Sequence, residues 1–129
     1  MGQLAAVTGI GMTGRFRTRV KESVAGLVRE AAVKALADAG CTWADIDAVV
    51  IGKAPDFFEG MLMPELYLAD ALGCVGKPML RVHTAGSVGG STAIVAASYV
   101  QSGQFKRVLT VAYEKQSESN AMWALSSKQ

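Results

Sequence analysis

Histidine is almost missing from this chain: its 129 residues include one, His83. Cysteine is nearly as scarce, with Cys41 and Cys74 only. Together they fall short of a disulfide framework or a cysteine–histidine zinc site, so no metal is expected; the chain is also expected to carry no resident cofactor. Charge of one sign is also lacking. Thirteen lysines and arginines stand against eleven aspartates and glutamates, a net charge of +2. Nucleic-acid binding wants a concentrated basic face, for which a net charge of +2 is no evidence, so no nucleic-acid partner is expected. Half of the chain is hydrophobic, which excludes the disordered class. Long hydrophobic runs are missing too. The uncharged stretch from Val82 to Phe105 is broken by glycines and serines, and its apolar part, Ile94 to Val100, is far below the roughly 20 residues of a membrane span. No apolar run opens the chain, so no secretory signal is expected. These absences predict one soluble domain in the reducing cytoplasm.

Short β-like runs alternate with helical patterns. Leu4 to Thr8 reads as a short buried strand closed by glycines. From Val20 to Ala39 the apolar residues Val20, Val24, Leu27, Val28, Ala31, Ala32, Ala35, Leu36 and Ala39 recur at helical spacing, and Gly40 follows as a helix stop. Thr42 and Asp45 form a capping-box signal. Asp47 to Gly52 is a nearly continuous apolar run, the mark of a parallel strand covered on both faces. Pro64 opens a helix to Leu72. Met79 to His83 and Arg107 to Ala112 read as two more strands, flanking a helix from Ser91 to Ser102 that Gly103 ends. That helix is apolar or small all round, which predicts a buried position. The order β-α-β-α-β-α-β predicts a mainly parallel, four-stranded sheet between helix layers. No element is predicted beyond Tyr113.

Gly9-Ile10-Gly11-Met12-Thr13-Gly14 matches the spelling of a dinucleotide-binding turn. That turn needs a helix starting within it and a second strand ending in an acid about 20 residues on. Here those positions fall inside the first helix, so the glycines are read as a plain turn. Arg15, Arg17, Arg19 and Lys21 are read as a solvated cluster, and Phe57, Phe58, Met61 and Met63 as core or interface residues. The segment from Val82 to Ala93 carries the most chemistry. It runs from a strand end through a glycine turn into the helix, and helix N-termini favour developing anions. Ser87 is the candidate reactive side chain, with His83 nearby as a conceivable base. The backbone N–H groups of Gly89 and Gly90 are the candidate anion donors. The structural alternative is a capping serine and a hydrogen-bonded histidine.

Several stretches together resemble the N-terminal half of the thiolase superfamily, in the branch of sterol-carrier-protein-type thiolases and bacterial lipid-transfer or acetyl-CoA acetyltransferase-like proteins. They are Ala6 to Thr13, Ala35 to Gly40, Asp45 to Val50, Asp56 to Gly60, Met63 to Tyr67, Gly90 to Ala93 and Tyr113 to Ser119. The resemblance implies a fold of two similar αβ halves, of which residues 1–129 are an incomplete first. It also implies a dimer, or a partner subunit supplying the missing half. The implied substrate is an acyl-CoA of lipid or steroid side-chain metabolism. The implied chemistry is acyl transfer through a cysteine at the start of the buried helix. Aligning Gly90 to Ala93 with the family puts Ser87 at that position, a departure, because a serine hydroxyl is a weak nucleophile without an adjacent base. Retro-aldol cleavage of a β-hydroxyacyl-CoA, or a non-catalytic lipid-binding role, tolerates such a serine.

Overall fold

The computed structural model describes residues 2–14, 21–54, 58 and 60–118. Helix α1 spans Val24–Ala39. The Ser23 hydroxyl accepts from Gly26 N at 3.0 Å, which makes Ser23 the N-cap and starts the helix four residues after the predicted Val20. At the other end Gly40 takes φ +65°, its N–H donating to Ala37 O while Cys41 N donates to Leu36 O. Val24, Val28, Ala32 and Leu36 form the buried stripe of α1. A 3₁₀ turn, Trp43–Asp45, follows. There the Asp45 carboxylate accepts from Thr42 N at 2.7 Å and from the Thr42 hydroxyl at 3.1 Å, as the capping signal predicts.

Among the described residues the sheet has three strands rather than four. They are β1 (Ala48–Gly52), β2 (Met79–Val82) and β3 (Val108–Ala112), in the order β2-β1-β3 and all parallel. Every residue of β1 is buried, as its unbroken apolar run predicts. The register pairs Val49 with Met79 on one side and Ala48 with Val108 on the other. Helix α2 (Pro64–Leu68) stops short of the predicted Leu72 and continues as turns to Gly73. It is held to β2 by Arg81, which pairs with Glu65 at 3.0 Å and donates to Leu62 O at 3.3 Å. Helix α3 (Val88–Gln101) begins three residues before the predicted Ser91.

The crossover from β1 to β2 and the return from β2 over β1 to β3 run in opposite directions across the sheet, and right-handed connections then place their helices on opposite faces. Accordingly α1, Leu68, Leu72 and Cys74 pack on Val49, Ile51, Leu109 and Val111 on one face. On the other, α3 lies against β1 and β3 through its buried residues Val88, Thr92 and Ala96. Each fully buried aliphatic side chain contributes about 1.5–3 kcal/mol. The far face of α3 is open among the described residues: Gly89, Gly90, Ala93 and Ile94 are exposed. The all-round burial expected of this helix is therefore corrected to a single covered face.

The missing strand is Leu4 to Thr8. It forms no part of the sheet, and Leu4 and Val7 are 91% and 85% exposed. Its neighbouring residues are claimed by α1 instead. Ile10 N donates to Asp38 Oδ2 at 2.9 Å, the Lys34 ammonium donates to Met12 O at 3.1 Å, and Gly14 N donates to Glu30 Oε1 at 3.0 Å. Gly9 lies so close to α1 that a Cβ there would meet Ala35 O and Ala39. A groove of about 420 Å³ separates residues 5–11 from β3. Of the basic cluster, Arg15, Arg17 and Arg19 lie outside the described residues, and Lys21 is exposed. Phe57 is likewise outside them. Phe58 is buried, while Met63 is 63% exposed.

Candidate functional site

Parallel strands all end at the same edge, and in open α/β sheets that carboxyl edge is where ligands bind. Here Gly52, Val82 and Ala112 end the three strands side by side, and their pairing runs one step further. Lys53 N donates to Val82 O and Tyr113 N to Gly52 O, each at 3.2 Å. The chain leaves β2 through His83 and Thr84, makes a 3₁₀ turn over Ala85–Ser87 and enters α3 at Val88. Ala85 takes φ +52°, the one described non-glycine residue with a positive φ. Such strain gathers at ligand sites and switches. The start of α3 is pressed onto the strand ends: a Cβ on Gly52 would meet Val88 and the Thr92 hydroxyl.

Ser87 stands at the N-cap of α3 and is exposed, but its hydroxyl does not cap the helix. It turns back to Thr84, 2.8 Å from the carbonyl oxygen and 2.9 Å from the hydroxyl. The Thr84 hydroxyl is in turn 2.6 Å from that of Ser91. Three hydroxyls, Thr84, Ser87 and Ser91, therefore form one cluster that sequence spacing did not reveal. His83 is exposed, and among the described residues no hydrogen bond joins it to Ser87. The hydroxyl proton of Ser87 thus meets a carbonyl and another hydroxyl, neither of them a general base. Gly89 and Gly90 fall in the first turn of α3, exposed, where helix N–H groups lack intrahelical acceptors.

Beneath the strand ends lie two charged residues that the sequence reading passed over. Lys53 is 0% exposed, and its ammonium lies 3.7 Å from the Glu114 carboxylate. Glu114 also accepts from Ala54 N. The Tyr113 and Phe58 rings flank the ammonium at 5.6 and 5.9 Å from their centroids. The signal was available: Lys53 directly follows an apolar strand run, and Glu114 stands one residue beyond another. No described group of histidine, cysteine and acidic residues is arranged to hold a metal. No helix among the described residues is long and apolar enough to cross a membrane.

No family model matches the chain. Among curated proteins it is 38% identical over 109 residues to the mycobacterial β-ketoacyl-[acyl-carrier-protein] synthase III of Mycobacterium avium, covering 84% of this chain and 31% of the relative. It is 28% identical over 116 residues to human sterol carrier protein 2, covering 88% of this chain and 21% of the relative. The 3-oxoacyl-[acyl-carrier-protein] synthase III of Aquifex aeolicus superposes with a TM-score of 0.66 at 22% identity, over 79% of this chain and 33% of that one. The priming β-ketosynthase of the R1128 polyketide pathway does so with 0.65 at 27% identity, over 77% and 30%. The chain is a thiolase-superfamily relative. Its α/β architecture is that of a thiolase-like N-terminal half, as the motif resemblance implies. The chain spans about a third or less of the length of these thiolase-like relatives.

Proposed function

We propose that the chain is the N-terminal piece of a thiolase-like protein that handles acyl thioesters, the acyl group arriving on coenzyme A. The observation that carries this reading is the junction of β2 and α3. A strained turn brings a helix N-terminus and three hydroxyls to the carboxyl edge of a parallel sheet. A thioester carbonyl seated there gains negative charge on oxygen during enolate formation or acyl transfer. The Gly89 and Gly90 N–H groups are the donors that this charge meets. Ser87 occupies the position of the family nucleophile and acts as a hydrogen-bond donor, because no base among the described residues adjoins it. Catalysis of Claisen type then needs further groups from the remainder of a longer protein or from a partner subunit, and a homodimer is the simplest assembly. Lipid or steroid side chains are the proposed acyl groups.

A second reading, an acyl-binding subunit without chemistry, is favoured by the same unactivated serine and by the similarity to sterol carrier protein 2. Incubation of the chain with a medium-chain acyl-CoA, followed by calorimetry and intact-mass spectrometry, tests both. Binding without a covalent adduct is expected. An acyl adduct on Ser87 would restore a serine nucleophile, and absence of binding would remove the thioester reading.

A further inference from the structure

We infer that the buried Lys53–Glu114 pair is a positioning device for the strand-end site, setting the height and tilt of the turn that carries Thr84 and Ser87. Each link is direct. The Lys53 side chain meets Glu114 at 3.7 Å, while its backbone N–H donates to Val82 O at 3.2 Å, two residues before Thr84. Glu114 binds the backbone of Ala54, which follows Lys53, and itself follows Tyr113, whose N–H donates to Gly52 O. Gly52 in turn lies directly under Val88 and Thr92 in the first turns of α3. One ion pair thus joins the ends of β1 and β3, and its backbone bonds reach both the strand that enters the turn and the helix that leaves it.

A side chain with no exposed surface does not hold an ammonium without a fixed counter-charge, since desolvation of a lone ion is costly. Lys53 is therefore tied to one place, and the atoms bonded to it inherit that place. Neither residue touches solvent enough to serve as a surface ion pair, which contributes little and wanders. Nor is either part of the hydroxyl cluster, so their effect on the site passes through backbone: they are positioning residues.

The inference rests on the strand-end site proposed above, but its test uses no thioester. A failure of thioester binding would therefore overturn that reading and leave this test standing. A thiol reporter is placed at the site by Ser87→Cys in a Cys41→Ser chain, Cys74 being buried. Its alkylation by iodoacetamide is timed alone and with Lys53→Met, Glu114→Gln or Lys77→Met. Lys77 bonds Trp43 O at the opposite end of β2, so its removal reports loss of stability without loss of the pair. The expected result is a change of about fivefold or more in the reporter's rate with Lys53→Met and Glu114→Gln, and less than about twofold with Lys77→Met. Glu114→Gln keeps the shape and the acceptor for Ala54, and decides the matter if Lys53→Met does not fold. Rates within about twofold for every variant, a similar change with Lys77→Met, or failure of both pair variants to fold would reduce the pair to a structural role and overturn the inference.

Discussion

The Thr92 hydroxyl occupies the space that a side chain on Gly52 would need. That hydroxyl is fixed by its own bond to Val88 O at 2.7 Å, so it cannot swing away without breaking a bond in the first turn of α3. Gly52→Ala is expected to push α3 off the end of β1, at a cost of about 2 kcal/mol and a fall in melting temperature on the order of 10 °C. Adding Thr92→Ala should recover most of that loss. An unchanged melting temperature in Gly52→Ala, or strict additivity in the pair, would contradict the close approach.

Acid stability follows from Asp47. Its Oδ2 accepts from Lys106 N at 2.8 Å and from Arg107 N at 3.0 Å, joining the entry of β1 to that of β3. These two backbone N–H groups, first Arg107 and then Lys106, hold its carboxyl below the usual range, and Thr42 does the same for Asp45. A lowered folded-state value means that the unfolded chain takes up protons first as pH falls. The stabilisation is thus fully present above about pH 5 and drains away below about pH 4. Asp47→Asn should unfold at lower urea than the parent at pH 7, and the gap should narrow at pH 3. A gap that stays constant with pH would remove the charge from this account.

Cys74 predicts the alkaline limb. Burial raises its thiol to about 11, against a weak opposing pull from Lys77. Here the folded-state value is the higher one, so between about pH 8.5 and 11 the unfolded chain holds fewer protons and stability falls as pH rises. Urea melts at pH 8 and pH 10 should show a smaller drop for Cys74→Ala than for the parent. At pH 8, iodoacetamide should label Cys41 well ahead of Cys74; equal labelling would place the Cys74 thiol in an open environment.

Ser87→Ala, made in a complete protein containing this chain, should retain activity with a loss of about tenfold, the scale of one hydrogen bond near 1.4 kcal/mol. Steady-state rates on an acyl-CoA substrate measure it. Complete loss would mean that the hydroxyl itself reacts.

How far the sequence revealed this fold depends on where each signal resides. The five residues of β1 were legible because burial on both faces leaves an unbroken apolar run, and α1 because its apolar stripe and its Gly40 stop are local. Leu4 to Thr8 shows the same kind of apolar run, yet stays outside the sheet. Its fate is settled by bonds from Asp38, Lys34 and Glu30 to the residues just after it, 16 to 28 positions away, which no local pattern records. α3 was legible as a helix but not as half-open, since a small apolar face reads alike whether covered or bare. At the site, the turn and Ser87 were visible as a glycine-rich break. The backward bond from Ser87 to Thr84 and the meeting of Lys53 with Glu114, 61 positions apart in sequence, exist only once the strands are aligned.

That alignment has a bearing on how the molecule comes into being. The central strand finds its first neighbour some 30 residues downstream, at Met79, and its second some 60 residues downstream, at Val108. Among the described residues no hairpin offers an early foothold, so chain closure must be met before the first ladder bond of this sheet forms, the slow regime for folding. During synthesis Ala48, Val49, Val50 and Ile51 leave the ribosome as a sticky stretch with nothing to pair with, a target for chaperones and for other nascent chains. A chain halted anywhere before Val108 would carry one whole flank of that stretch bare.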